Sequence, residues 1–355
     1  MSKQENQIYF FIPFYPKFTT GGNMYHSIVY DILNKRGEKV KVFGNEDDFE
    51  SVEKSKVKKI IYGLKHTLKI PKGSVIFLTN TAFLHFLLPL YTVSFFKRHR
   101  YIILIHHLLC EEKAKFLVSF FESIFVKSVK NKLTVSETST KSLFRNGMIK
   151  DLIPMVNPGL EYTPDHSYTR EKIKPIPELL FVGNIEKRKS LNTVINALSE
   201  IKNFDFKFNV VGNPTESDYY NEVLKLIETG NLMNKVYFLG KLSSDELLEH
   251  YRKSDILLFP SLWEGYGMVI AEAMANGLPV ISSNIPTSKE LINDGTDGLL
   301  FKKGDHKDLA RCIRKLYNNP ELYSKISENS IKRAYEFNTW EITTDKIYEF
   351  IKNAK

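Results

Sequence analysis

Pro260-Ser-Leu-Trp-Glu264-Gly-Tyr-Gly-Met-Val-Ile-Ala-Glu272-Ala-Met-Ala-Asn-Gly277-Leu-Pro279-Val280 is the stretch whose reading decides the fold. The apolar run Ile256–Phe259 before it ends at Pro260 and reads as a buried strand. Gly265 and Gly267 let the chain turn tightly and leave backbone N–H groups uncovered. A helix follows from near Met268 and stops at Gly277, and a new strand opens at Pro279. The start of that helix carries unpaired donors and partial positive charge, so it is suited to an anion. Glu264 stands on the loop before the helix and Glu272 about one turn inside it. A carboxylate accepts paired hydrogen bonds from vicinal hydroxyls, which sugars and ribose both offer. The spacing of the two glutamates alone says nothing; the strand, the glycines and the helix around them give it meaning.

Outward from this stretch, short apolar runs alternate with helical ones along nearly all 355 residues. Strands are expected at Ile8–Pro13, Lys39–Phe43, Val75–Leu78, Tyr101–Ile105 and Lys132–Val135, then at Leu179–Val182, Lys207–Val211, Lys235–Leu239, Ile256–Phe259 and Pro279–Ser282. Such alternation in both halves predicts an α/β protein of two doubly wound parallel sheets with helices on both faces. Two such domains would face each other across a cleft, and ligands would lie beyond the carboxyl ends of the strands. Between Thr163 and Glu178 the texture changes: Pro164, Pro175 and Pro177 interrupt a stretch poor in large apolar residues, which reads as a linker. The expected division is 1–165, a linker at 166–177, 178–336, and a terminal helix within 337–355 that has no strand partner.

Residues 1–165 hold 24 Lys+Arg against 15 Asp+Glu, while the rest holds 26 of each, so the whole +9 excess falls in the first half. A basic half beside a neutral one points to an anionic partner such as a phosphorylated lipid, an acidic glycan or a membrane surface. No nucleic-acid-binding module accompanies these charges. Phe77–Phe96 is uncharged over a length that would span a bilayer, but Thr79, Asn80, Thr81, His85 and Pro89 interrupt it, which favours a strand and a covering helix. The aromatic and basic cluster Phe95–Tyr101 is compatible with a peripheral membrane contact. Two cysteines, Cys110 and Cys312, make no disulfide framework or zinc spacing. With a polar start too short for a secretory signal, they suggest a cytoplasmic protein, at most peripheral at the inner face of a membrane.

The Pro260–Val280 stretch closely resembles glycosyltransferase family 4, the retaining enzymes of the GT-B fold, whose signature is a pair of glutamates separated by seven residues, as Glu264 and Glu272 are. Phe181-Val-Gly183-Asn184-Ile-Glu-Lys-Arg188-Lys189 resembles the family's loop that reaches the donor diphosphate, with Lys189 the best match and Arg188 beside it. Many members carry an arginine where this chain has Asn184. The backbone near Leu242 resembles the part that approaches the nucleotide base. Gly21-Gly22 looks like the family's N-terminal phosphate-facing loop. His106, in better register than His107, looks like the histidine kept near the transferred sugar. Phe337-Asn-Thr-Trp340 resembles the start of a last helix that packs on the first domain.

The resemblance implies transfer of a glycosyl unit from a nucleoside-diphosphate sugar to a hydroxyl of a glycan or lipid-linked acceptor, with retention, in the synthesis of a surface polysaccharide or glycoconjugate. It implies that Glu264 holds a hydroxyl of the transferred sugar and Glu272 the ribose diol. Lys189, Arg188, the glycine loop and the backbone at Gly183, Asn184, Gly265, Tyr266, Gly267 and Met268 would meet the donor. The chain has no Asp-x-Asp motif, so neither a metal nor any other cofactor is expected. The rival readings are another sugar-nucleotide enzyme of this fold, such as an epimerase, and a non-catalytic partner subunit.

Overall fold

The computed structural model describes residues 7–16, 21–44, 49–108, 116–201 and 204–354. Lys17–Thr20, which precede Gly21 in sequence, and Cys110 lie outside them. The chain divides into two compact units, one of Met1–Gly159 with Asn338–Lys355 and one of Leu160–Phe337.

The first unit begins with β1 (Ile8–Phe11), α1 (Gly21–Lys35) and β2 (Val40–Phe43), followed by α2 (Phe49–Glu53), α3 (Lys56–Lys69) and β3 (Val75–Thr79). Then come α4 (Phe83–Tyr91), α5 (Val93–Lys97), β4 (Arg100–Ile105), α6 (Phe116–Ser128), β5 (Asn131–Thr134) and α7 (Glu137–Arg145). The strands form one sheet in the order β2-β1-β3-β4-β5, and every pairing is parallel. That order reverses direction between β1 and β3, the place where open α/β sheets take ligands. The uncharged run Phe77–Phe96 divides between β3, α4 and part of α5, with Pro89 inside α4. Among the described residues no helix is long and apolar enough to cross a membrane.

The second unit contains β6 (Glu178–Val182), α8 (Leu191–Ser199), β7 (Lys207–Val211), α9 (Ser217–Thr229), β8 (Val236–Gly240), α10 (Ser244–Lys253) and β9 (Ile256–Phe259). It continues through α11 (Met268–Ala275), β10 (Val280–Ser283), α12 (Pro286–Leu291), β11 (Leu299–Phe301), α13 (His306–Tyr317) and α14 (Pro320–Ala334). Its six strands lie in the order β11-β10-β9-β6-β7-β8, all parallel. Read from the other edge this is third-second-first-fourth-fifth-sixth, the doubly wound nucleotide-binding order. The central strands β6 and β9 are almost wholly apolar and buried, as a parallel sheet covered on both faces by helices requires. Leu179, Phe181, Phe208, Val210, Leu258 and Ile281 are buried in one continuous core, each such side chain contributing roughly 2 kcal/mol.

The stretch expected to be a linker belongs to the second unit. Arg170 explains why: its guanidinium donates to the carbonyls of Tyr251 and Asn276 at 2.7 Å, Arg252 at 3.1 Å, Ser254 at 3.2 Å and Tyr168 at 3.3 Å. Four of these carbonyls belong to α10 and to the turns after α10 and α11, so one half-buried cation ties this proline-bearing segment down, and the units part at Gly159/Leu160 instead. The terminal helix α15 (Trp340–Asn353) is part of the first unit. Trp340 packs edge-on against Tyr25 at 5.2 Å, Arg36 pairs with Glu341 and Asp345, and Gly159 passes so close that a Cβ there would lie 2.2 Å from the Trp340 nitrogen.

Candidate active site

β6 and β9 are neighbours in the sheet although β7 and β8 lie between them in sequence. Their carboxyl ends mark the strand-order reversal of the second unit, and the two segments singled out in the sequence leave from them. After β6 the chain passes Gly183, at φ 151. Gly212 at the end of β7 lies against it so tightly that a Cβ there would sit 2.1 Å from the Gly183 carbonyl oxygen. Asn184 and Ile185 follow, then a 3-10 turn at Lys187–Lys189. After β9 come Pro260, Ser261, Leu262, Trp263 and Glu264. The Leu262 N–H donates to the Arg188 carbonyl at 2.9 Å, joining the loops.

Glu264 is clamped between two cations. Lys189 Nζ lies 2.6 Å from one carboxylate oxygen and Arg188 Nη1 2.9 Å from the other. Arg188 also pairs with Glu186 at 2.5 Å and lies 4.7 Å over the Trp263 ring. Burial alone would raise the Glu264 pKa, but Lys189 and then Arg188 overcome it and hold the carboxyl at about 2. The mirror effect appears on Arg188, where burial works to lower the pKa and Glu264 and Glu186 raise it.

Glu272 has the opposite environment. It lies buried in α11 and its Oε2 accepts the Tyr251 hydroxyl at 2.7 Å. Burial raises its pKa to about 7; the Tyr251 hydroxyl pulls it down and the Glu161 charge adds to the rise. Tyr162 stands by this pair, its ring 6.4 Å from that of Tyr251 and its hydroxyl donating to the Ser244 carbonyl at 2.7 Å. The N-cap of α11 is Gly267, at φ 103, where no side chain caps the helix. Only glycine adopts that backbone without strain, so the first N–H groups of α11 remain for another acceptor. Met268 opens the helix half-buried, and Gly265 lies half-buried between Glu264 and Tyr266. The Tyr266 ring is buried, so Tyr266 can reach a ligand only through its backbone. Leu242 is half-buried on the loop between β8 and α10, where Ser243 and Glu246 form a capping box.

In the first unit the structure brings Gly22 and His106 together. Gly21 and Gly22 are the first residues of α1, and a Cβ on Gly22 would lie 3.3 Å from His106 Cδ2, whereas Gly21 is open. His106 follows β4. Burial, helped by the His107 charge, pushes its pKa down to about 3, and its buried Nε2 has no hydrogen-bond partner. Its N–H donates to Asn80 Oδ1 at 3.4 Å and its carbonyl accepts from Ser139 Oγ at 2.6 Å. His26 of α1 lies 6.0 Å away, ring to ring. It is fully buried, unpartnered at both nitrogens and likewise held neutral.

Residues 169–333 match the family model of the glycosyl transferases, group 1. The chain is similar to an uncharacterized glycosyltransferase of Methanocaldococcus jannaschii, 31% identical over 226 residues, which is 63% of this chain and 57% of that one. It is similar to a D-inositol 3-phosphate glycosyltransferase of Rhodococcus jostii, 28% identical over 232 residues, 62% of this chain and 51% of that one. The matches thus span little more than half the length of these relatives. Among solved structures, HepE of Anabaena in complex with UDP and glucose superposes with a TM-score of 0.79 at 18% identity, covering 98% of this chain and 99% of that one. Sucrose-phosphate synthase of Thermosynechococcus elongatus gives the same TM-score and identity, covering 98% of each. The fold is GT-B. The segment matched to the family holds Gly183, Asn184, Arg188, Lys189, Leu242, Glu264 and Glu272; Gly21, Gly22 and His106 lie outside it.

Sequence reasoning missed several partners. Trp263 and Glu186 shape the environment of Arg188, Tyr251 and Glu161 that of Glu272, and Asn80 and His26 that of His106. Trp263 sits inside the signature stretch, so an aromatic next to a predicted cation site was a readable signal. Tyr251 and Asn80 come from other elements and left none.

Proposed function

We infer that this chain transfers a glycosyl unit from a nucleoside-diphosphate sugar to an acceptor hydroxyl, with retention at the anomeric carbon. The observation that carries the reading is the Lys189–Glu264–Arg188 cluster at the strand-order reversal of the second unit. A diphosphate arriving there meets two cations and the uncapped start of α11. As it draws Lys189 and Arg188 to its own oxygens, it releases the Glu264 carboxylate to accept a hydroxyl of the transferred sugar. When the sugar–phosphate bond breaks, the electron pair leaves with the diphosphate, and fixed donors at that oxygen lower the barrier. With those cations in place we propose that no divalent metal is needed, and unchanged turnover in the presence of a chelator is the expected outcome. Glu272, steadied by Tyr251, takes the ribose diol, and Leu242 borders the base. In the first unit, His106, neutral above about pH 3, and Gly21-Gly22 are the residues that the resemblance assigns to the sugar and to phosphate.

UDP is the first nucleotide to try, because it is the one found in HepE. The acceptor we propose is an anionic or lipid-linked glycan hydroxyl met by the basic first unit, in surface polysaccharide or glycoconjugate synthesis in the cytoplasm. The test is a thermal-shift screen with UDP, GDP and ADP and their sugars, followed by product analysis; a ligand that binds the folded state raises its melting temperature. No stabilisation by any of these diphosphates would refute the donor assignment. Isomerised donor in the absence of acceptor would place the chain among the epimerases instead.

A further inference from the structure

The cluster Phe95–Tyr101 makes a poorer membrane contact than its composition suggests: Tyr101 and His99 are buried, and Arg100 donates to the Ala354 carbonyl at 2.6 Å. A better surface lies on α6. Its inner face, with Phe125 and Val126, packs into the core of the first unit. Its outer face is apolar too: Phe116, Leu117, Phe120 and Phe121 are 81%, 64%, 49% and 41% exposed. The three phenylalanine rings form a continuous row, with centroids 6.3 Å apart between Phe116 and Phe120 and 5.7 Å between Phe120 and Phe121. Four adjacent large apolar side chains in water mark an interaction surface.

Charge and position identify the occupant. The only acid in α6 is Glu122, and it is buried and bonded to Asn80 Nδ2 at 2.7 Å. The exposed charge that follows the aromatic row is Lys127, with Lys130 just after the helix. Tyr91 of α4, exposed, hydrogen-bonds to Ser128 at the end of α6. Aromatic rings with lysines beside them suit the headgroup layer of an anionic bilayer. The same Asn80 amide that holds Glu122 donates to the His107 carbonyl at 2.7 Å, so one residue links the buried side of α6 to the His106 loop. We propose that α6 docks this protein on an anionic lipid surface and that the acceptor is presented from that surface. The second clause rests on the transfer reading above; the docking does not.

The test is flotation of the full chain with vesicles of equal parts phosphatidylcholine and phosphatidylglycerol, beside vesicles of phosphatidylcholine alone. The wild type is expected to float with the anionic vesicles and to fall away as salt is raised. The double variant F116S/F120S should bind them at least ~10-fold more weakly, because two rings no longer leave water. Its melting temperature and its shift with UDP should be unchanged. Absence of wild-type flotation, or undiminished flotation of the variant, overturns the docking. So does a concentration-dependent dimer of the wild type that the variant abolishes, since the face would then seat a second copy. Flotation without any UDP shift would leave the docking standing and refute the transfer reading alone.

Discussion

Replacing Glu264 by glutamine should weaken the protein while strengthening its grip on a diphosphate. The carboxyl is held at about 2 against an ordinary 4.5, a difference of about 2.5 units in favour of the charged form. At 1.36 kcal/mol per unit this is about 3 kcal/mol of net attraction to Lys189 and Arg188 after burial is offset. Because the folded pKa is the lower one, that contribution is complete above about pH 4.5 and is withdrawn as the pH falls toward 2. Glutamine keeps the shape and removes the charge, leaving two cations facing a neutral amide. A loss of about 3 kcal/mol corresponds to a fall in melting temperature of roughly 6–12 °C for a unit of this size. Added UDP should recover more of that loss in the variant than it adds to the wild type, since its phosphates meet cations that no internal carboxylate competes for. Sugar transfer should nonetheless drop at least ~100-fold, because the group that holds the sugar is gone. Differential scanning fluorimetry at neutral pH, with and without UDP, reads the first two effects. A variant that melts with the wild type and gains no more from UDP would refute the clamp and the displacement of Glu264 by the diphosphate.

The other predictions concern the neighbours of the proposed ligand. Donor affinity should rise with pH through about 7, since Glu272 holds a ribose diol best as a carboxylate and its pKa lies there; isothermal titration with UDP across pH 6–8 reads this, and a flat profile counts against the role. Tyr251→Phe removes the 2.7 Å hydroxyl contact that favours the charged form, so the midpoint should move upward while the plateau affinity at high pH changes little. Gly22→Ala should destabilise by about 1 kcal/mol through its approach to the His106 ring, yet be neutral or stabilising when His106 is alanine, since alanine is otherwise the better helix residue; a double-mutant thermal cycle checks the sign. Arg170→Ala should cost about 3 kcal/mol or more by orphaning buried carbonyls, measured by urea unfolding.

How much of this was legible depends on whether the deciding neighbour is near in sequence. The strand ending at Phe259, the glycine turn and the helix at Met268 were readable because each rests on local chemistry: an apolar run, a φ of 103 that only glycine tolerates, a Gly277 stop. The linker was misread for the complementary reason. Three prolines are a local signal for an extended connection, but Arg170 finds four of its five carbonyls on α10, after α10 and after α11, and no periodicity announces that. The face of α6 was hidden because its apolar residues lie on both sides of the helix, and only packing shows which side is left outside. The two glutamates make the point most sharply. They share a residue type and a motif, yet one sits at about 2 and the other at about 7. Glu264 owes its value to a loop from β6, brought beside β9 by a strand order that skips two strands, and Glu272 to its burial, which the Tyr251 hydroxyl from α10 only partly offsets. A motif can place two carboxylates on one loop and one helix, but their charge comes from strands and helices that fold in beside them. One glutamate is therefore a fixed anion that a diphosphate must displace, and the other an acid poised to ionise near neutrality, and the pH titration with UDP is the measurement that separates those two states.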